Sequence, residues 1–87
     1  MHNLKIKRCF ADAILSGAKT FEIRKNDRPR CFQEGDLISF TVLSDSDSQI
    51  TLSHPLDDMF FEISYVLSGW GLESGYVALA IKPLKEG

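Results

Sequence analysis

Polar and apolar residues change their spacing twice within the first 25 positions, and each change predicts a new element. Residues 2–6 alternate between polar and apolar side chains, which predicts a short strand. Phe10, Ala13 and Ile14 follow at i, i+3 and i+4, so we expect a helix of about two and a half turns with these residues on one face. Gly17 can adopt the left-handed conformation that ends a helix.

From Lys19 onward the spacing returns to two, which is typical of a strand. Phe21 and Ile23 point to one side of this strand and are predicted to form its core face. The opposite side carries Thr20, Glu22 and Arg24. This polar side is therefore the candidate functional face.

The second half of the chain reads as strands separated by turns. Gly, Asp and Ser residues mark a turn at 33–36, a solvated hairpin tip at 44–49 and a glycine-rich loop at 68–75. Runs of β-branched and aromatic residues predict strands at 37–43, 59–67 and 76–84, and a return strand can begin at 50–53.

The order of these elements favours a small α+β domain built around a curled sheet or barrel. A chain of 87 residues buries only about 60 to 65% of its unfolded surface, which is enough for one core and not for two. We therefore expect a single domain, 1–87.

Composition narrows the location and the class of protein. The longest apolar run, 76–81, is far shorter than the roughly 20 residues of a membrane helix, and the first ten residues carry charges where a signal peptide is apolar. We expect no membrane partner and a cytoplasmic location. Cys9 and Cys31 are expected to be free thiols, and His2 and His54 to be exposed. Without a metal-ligand spacing, no metal and no cofactor are predicted.

Charge is distributed unevenly along the chain, although its overall net charge is only −2. The first 30 residues contain eight basic and three acidic residues, whereas the rest contains two basic and nine acidic ones. The two parts therefore carry +5 and −7. This separation can create a local positive surface on an acidic protein.

The strongest chemical signal is the spacing of Gly17, Lys19, Glu22 and Arg24. Two residues apart on a strand, Glu22 and Arg24 project from the same face with backbones about 6.5 to 7 Å apart, so their head groups can meet. A carboxylate beside a guanidinium orients its remaining donors toward a phosphate or a base edge. The alternative is a surface ion pair without function.

The segment after this strand offers further binding candidates. Asn26 and Asp27 are typical of a turn, and Arg28 and Arg30 flank Pro29, which can hold them extended toward a ligand.

Aromatic residues can stack on the bases of single-stranded nucleic acid. We expect Phe10, Phe21 and Phe32 to be core residues. Trp70, in the glycine-rich loop, is either a stacking residue or a cover over the end of the barrel.

Three stretches carry a family resemblance: LSGAKTFEIRKND, FQEGDLISF and SGYVALAIKPL. Together they closely resemble small prokaryotic and phage proteins of a branch of unknown function in the ASCH superfamily, which has a PUA-like fold. The likeness covers nearly the whole chain except 44–58. The motif G-x-K-x-x-E-x-R is matched from Gly17 to Arg24, and Lys25, Asn26 and Asp27 continue it.

The resemblance implies a compact β-barrel with one helix near the N-terminus across its opening and a cleft lined by the motif residues. ASCH relatives are proposed RNA binders, so RNA or a nucleotide-like molecule is the expected partner. We expect its binding residues to be Lys19, Glu22, Arg24, Lys25, Asn26 and Arg28.

Two other functions stay open. Some ASCH proteins are hydrolases, including amidohydrolases of acylated cytidines and a ribonuclease. Here Glu22 would be the general base, and Lys19 would stabilise the oxyanion or act as a proton donor. The sequence departs from the amidohydrolase pattern K-x-x-T because Glu22 replaces the threonine. The amidohydrolases also have a further glutamate before the final strand, for which Glu73 is a weak substitute. The acidic segment 45–58 could instead bind a protein partner.

Overall fold

A computed structural model describes residues 1–26 and 31–84, which fold into a curled five-stranded sheet and one short α-helix. A single 3₁₀ turn precedes the fourth strand. The elements are β1 (His2–Lys7), α1 (Arg8–Leu15), β2 (Phe21–Lys25), β3 (Leu37–Leu43), a 3₁₀ helix (Pro55–Asp58), β4 (Phe60–Ser68) and β5 (Tyr76–Pro83). The predicted α+β class and curled sheet are confirmed.

The sheet is mixed, with the strand order β1-β3-β4-β5-β2. β1 and β3 are parallel, and every other neighbouring pair is antiparallel. Curling brings the two edge strands, β1 and β2, to face one another, but no backbone ladder joins them within the described residues. The result is a half-barrel with a seam between its first two strands.

The core fills the concave side of this half-barrel. Leu4 and Ile6 of β1 and alternate residues of β3, β4 and β5 point inward. The inward residues of these three strands are Ile38, Phe40, Val42, Phe61, Ile63, Val77, Leu79 and Ile81. Because side chains alternate between the two faces of a strand, the inward apolar residues of this one curled sheet form the core, and no second sheet is needed.

Helix α1 contacts β1, β3 and the 3₁₀ helix. Its buried face consists of Ala11 and Ile14, whereas the expected core residue Phe10 is half-exposed. Phe10 is one helical step of about 100° from Ala11, so burying Ala11 against β1 turns Phe10 toward the seam. Gly17 ends the helix at φ +86°, as predicted, and the Lys19 amide donates to the Ala13 carbonyl at 3.0 Å.

The N-terminus of α1 is capped from a distant part of the chain. Lys7 offers no side-chain cap, and the Cys9 amide instead donates to Asp45 Oδ1 at 3.0 Å. That hydrogen bond lowers the pKa of the Asp45 carboxyl below its ordinary value. The predicted hairpin tip therefore also caps the helix, while the predicted return strand is reduced to one bridge between Leu43 and Thr51.

Both histidines have structural partners, so the expectation that they are exposed is wrong. The side chain of His54 is almost entirely buried: its Nδ1 accepts from the Leu56 amide at 3.1 Å, and Nε2 donates to Asp12 Oδ1 at 2.7 Å. His2 contacts Asp36 at 2.9 Å through Nε2, and its ring lies 4.7 Å from that of Phe32.

The described ranges also show the state of the cysteines and two further features. Cys9 and Cys31 are free, as expected, and both are exposed. No helix in residues 1–26 and 31–84 is long and apolar enough to cross a membrane. Across the same residues, no cluster of three or more His, Cys, Asp or Glu side chains could hold a metal ion.

The Asp36 turn gives a pH-dependent test of the fold. Hydrogen bonds from His2 and from the Gln33 amide lower the pKa of Asp36. The carboxylate therefore stabilises the fold above the unfolded-state pKa of about 3.9, and this stabilisation is lost as the pH falls through the folded-state pKa. We expect Asp36→Asn to lower the free energy of unfolding at pH 7 by up to about 1 kcal/mol, measured by urea denaturation.

The difference between the native protein and Asp36→Asn should shrink as the pH is lowered below about 3.9. Glu34→Gln, at an exposed position in the same turn, is the control and should change stability little at either pH. A difference that persists unchanged in acid would contradict the assignment to the carboxylate charge.

Candidate functional site

A cavity of about 450 Å³ opens at the seam between β1 and β2. Its walls come from both edge strands, from the start of α1 and from the turn that follows the helix. The lining residues are Lys5, Ile6, Lys7, Phe10, Lys19, Phe21, Glu22, Ile23 and Arg24. Three residues of the predicted motif, Lys19, Glu22 and Arg24, thus meet at one cavity.

Strand β2 turns its polar side inward, contrary to the prediction that Phe21 and Ile23 form its core face. Glu22 is only 4% exposed, whereas Phe21 and Ile23 are 46% and 50% exposed. The register explains the inversion: Glu22 lies opposite the fully buried Leu79 of β5, so both face the concave side. Burial of the carboxylate is tolerated because two cations accompany it.

Glu22 is the centre of a three-residue ion cluster. Its Oε1 pairs with the ammonium group of Lys19, and its Oε2 accepts from Arg24 Nε at 3.0 Å and lies 2.9 Å from Arg24 NH2. Both carboxylate oxygens thus have cationic partners, which compensates for the loss of water around a buried charge. The expected meeting of the Glu22 and Arg24 head groups is confirmed.

Lys19 is positioned by the turn at the end of α1. Its ammonium group also donates to the Phe21 carbonyl at 2.8 Å. The same nitrogen lies 5.6 Å from the ring centre of Phe10 and 5.1 Å from that of Phe21, within range of cation–π attraction. Lys19 is therefore held in place by one carboxylate, one carbonyl and two aromatic rings.

Arg24 bridges the two edges of the sheet. Its NH2 group donates to the Lys5 carbonyl of β1 at 2.8 Å, while Nε and NH2 contact Glu22. This side chain spans a gap that the backbone ladder leaves open. Its third nitrogen, NH1, makes no hydrogen bond with any residue that the structure describes.

The other predicted binding residues do not line this cavity. Lys25 is exposed at the end of β2, and Asn26 borders a separate hollow below the loop between β4 and β5. Asn26 has a structural role. Its side-chain Oδ1 accepts from the backbone amide of Phe32 at 3.0 Å, and its backbone amide donates to the Gly75 carbonyl at 2.7 Å. Arg28, with Asp27, Pro29 and Arg30, lies outside the described residues.

The predictions for the aromatic residues were partly wrong. Phe32 is a core residue as expected, but Phe10 and Phe21 are half-exposed at the cavity. Trp70 is 89% exposed with φ +31°, so it does not pack over the end of the barrel.

Sequence reasoning also missed Lys5 and Lys7 as lining residues. The alternation of 2–6 could have indicated Lys5, because it places Lys5 on the side opposite to Leu4 and Ile6, whereas Lys7 lies beyond this range.

We expect removal of the central carboxylate to destabilise the fold. Glu22→Gln keeps the shape but removes the charge, and should lower the free energy of unfolding by about 1.5 kcal/mol, a typical value for hydrogen bonds to charged groups. Glu22→Ala leaves two cations without their partner and should lower it by about 3 kcal/mol. Chemical denaturation at pH 7 measures both changes.

Glu62 provides a matched control on β4. It also pairs with a lysine, since Lys82 Nζ lies 3.3 Å from its Oε1, but this pair lies at the surface. Glu62→Gln should lower the free energy of unfolding by less than about 1 kcal/mol. Equal effects at Glu22 and Glu62 would show that burial of the cluster does not matter.

Comparison with known proteins places the chain in a family. No curated protein matches it. A family described as a domain of unknown function, DUF3850, matches residues 1–81, which is nearly the whole chain and includes every element given above except the end of β5. The chain therefore belongs to the DUF3850 family, the domain of unknown function whose matched region contains the complete Lys19, Glu22 and Arg24 cluster.

Proposed function

We propose that the seam cavity binds RNA or a nucleotide-like molecule. The observation that carries this proposal is the ion cluster, in which buried Glu22 holds Lys19 and Arg24 at the wall of an open cavity. A volume of about 450 Å³ falls within the range of about 300 to 1,000 Å³ that is common for small-molecule sites. One nucleotide, free or within a chain, is a ligand of suitable size.

The charge of the cavity favours an anionic ligand. Its lining residues include four cations, Lys5, Lys7, Lys19 and Arg24, and one carboxylate, which leaves a net charge of +3. The protein as a whole carries −2, so the positive potential is local and does not favour binding along an extended phosphate backbone. Recognition of one or two phosphates fits this distribution.

Pre-organisation supports the same proposal. Lys19 and Arg24 lose most of their conformational freedom on folding, because each already has two or more partners. A ligand that contacts Arg24 NH1 therefore does not have to order the side chain, which removes an entropic penalty from binding. Glu22 acts here as a positioning residue for the two cations.

The apolar part of the cavity suits a flat ring. Phe10 lies at the mouth of the cavity with half of its surface exposed, and its ring is 5.6 Å from the ammonium group of Lys19. A nucleobase can stack on such a ring while the attached phosphate contacts the cations. The proposal thus assigns the base to the Phe10 wall and the phosphate to Lys19 and Arg24.

The resemblance to the ASCH superfamily is part of this proposal. A curled five-stranded sheet, a helix near the N-terminus and a cavity at the motif residues agree with the PUA-like barrel that the resemblance implies. We propose this fold assignment and the cytoplasmic location that suits an RNA ligand. The fold assignment rests on the motif and the topology together, and the location rests on the charged first ten residues.

Binding is better supported as a function than hydrolysis with Glu22 as the general base. Both oxygens of Glu22 already have cationic partners, and the side chain is almost completely buried behind Lys19 and Arg24. A general base must reach the water or substrate proton at hydrogen-bonding distance, and little of this carboxylate is open to the cavity. The same contacts suit a group whose role is to hold two cations.

We expect Lys19→Ala and Arg24→Ala each to weaken the binding of short single-stranded RNA at least about 10-fold, because each removes a charge-assisted contact to phosphate. Fluorescence anisotropy at low salt measures this change, and affinity of the native protein should fall as salt is raised. Lys82→Ala removes an exposed lysine that does not line the cavity and is the control. Unchanged affinity in both cavity variants would contradict the proposal.

Incubation with acylated nucleosides and RNA tests the hydrolase alternative. If the cavity only binds, the native protein releases no product, and Glu22→Gln affects binding without any associated turnover. Turnover by the native protein that is lost in Glu22→Gln would replace binding with catalysis as the function of the site.

A further inference from the structure

The edge of β2 that faces the seam carries backbone groups that no ladder uses. In an antiparallel pair, only alternate residues of a strand exchange hydrogen bonds with the partner strand. The Thr20 carbonyl accepts from the Ile81 amide at 3.1 Å, so the even-numbered residues of this segment point their backbone groups at β5. The odd-numbered residues Phe21 and Ile23 therefore point theirs away from β5, toward the seam.

Contacts at the seam agree with this direction. The Phe21 carbonyl accepts from Lys19 Nζ at 2.8 Å, and the Lys5 carbonyl of the opposite edge accepts from Arg24 NH2 at 2.8 Å. Ile23 follows on the same edge of β2 and also lines the cavity. Its amide and carbonyl have no hydrogen-bond partner among the residues that the structure describes. One backbone donor and one backbone acceptor are thus free at the cavity.

These two groups are held in place before any ligand arrives. Glu22 and Arg24, on either side of Ile23, are in register with Leu79 and Val77 of β5, which fixes the backbone between them. Ile23 is half-exposed, so water can satisfy its amide and carbonyl in the free protein. A ligand that displaces this water must offer an acceptor and a donor side by side.

We propose that the backbone of Ile23 binds the Watson–Crick edge of an unpaired nucleobase. The Ile23 amide donates to an acceptor on that edge, and the Ile23 carbonyl accepts from the neighbouring N–H group. All four bases carry an acceptor beside a donor on this edge, so the contact selects a free edge and not one base. The inference rests on the proposed nucleotide function of the cavity and adds how the base is held.

The seam favours a single flat ring over an extended peptide, the other common ligand of a strand edge. A peptide strand along β2 would occupy the space that Arg24 crosses to reach the Lys5 carbonyl, and would have to break that hydrogen bond. One ring beside Arg24 leaves the bond intact. The four cations of the cavity wall also match the phosphate of a nucleotide.

The proposal excludes base-paired RNA from the cavity. In a duplex, each Watson–Crick edge is already bonded to the opposite base, so the Ile23 backbone cannot contact it. Stacking on Phe10 uses the face of the ring and leaves its edge for β2. The two contacts are therefore compatible.

Ile23→Pro tests the donor because proline has no amide hydrogen. Proline is tolerated on an edge strand where the N–H group lies outside the ladder, so this variant should fold. Ile23→Ala removes the same side chain, keeps the amide and is the matched control. We expect Ile23→Pro to bind uridine 5′-monophosphate at least about 10-fold more weakly than Ile23→Ala does, measured by calorimetry at low salt.

Two measurements on the native protein guard against a proline variant that fails to fold. 3-Methyluridine 5′-monophosphate has a methyl group in place of the N3 hydrogen, and should bind at least about 10-fold more weakly than uridine 5′-monophosphate. In hydrogen exchange, the Ile23 amide should exchange faster than those of Glu22 and Arg24 in the free protein. Saturation with uridine 5′-monophosphate should slow it.

The outcomes separate this inference from the proposed function. Equal affinity of Ile23→Pro and Ile23→Ala, or of the two nucleotides, would overturn the role of Ile23; if Lys19→Ala still weakens binding, the proposed function stands. Duplex RNA that binds as tightly as its single strand would also overturn the inference, as would an Ile23 amide that only an extended peptide protects. A native protein that binds no nucleotide would overturn both.

Discussion

Burial of the Glu22 carboxylate between Lys19 and Arg24 is the interaction on which the shape of this domain depends. An unpaired carboxylate in the concave side of the sheet would be strongly unfavourable, so β2 can turn this side inward only with both cations in place. That orientation in turn exposes Phe21 and Ile23. The cavity and the exposure of Phe21 and Ile23 are therefore two consequences of one buried charge.

The seam between β1 and β2 shows how a side chain can substitute for a missing ladder. The two edge strands face each other without backbone pairing, and Arg24 joins them by donating to the Lys5 carbonyl. Full pairing would close the barrel and remove the cavity, because paired strands lie only about 4.8 Å apart. A single long side chain holds the strands at a greater separation and leaves space for a ligand beside it.

The fold could largely be predicted from the sequence because most of its segments follow simple periods. The strands at 37–43 and 76–84, the short helix and its stop at Gly17 agree with the structure to within a residue or two. The return strand predicted at 50–53 is reduced to one bridge, because backbone groups at its start are used in the preceding turn. The Ile50 amide donates to the Asp47 carbonyl, and the Ile50 carbonyl accepts from the Ser44 amide. The helix cap from Asp45 also depends on a contact between residues 36 positions apart, which no local pattern reveals.

The sequence by itself determined the elements, their succession along the chain and the grouping of Lys19, Glu22 and Arg24, because local periodicity and two-residue spacing follow from backbone geometry. The order of the strands within the sheet was not determined in this way. Only the tertiary structure decided which face of β2 is buried. Hydrophobicity alone places Phe21 and Ile23 inside, but the free energy of a strand depends on what lies opposite each face. Here Leu79 and two cations lie on the inner side, and that arrangement exists only after β5, α1 and β1 have come together.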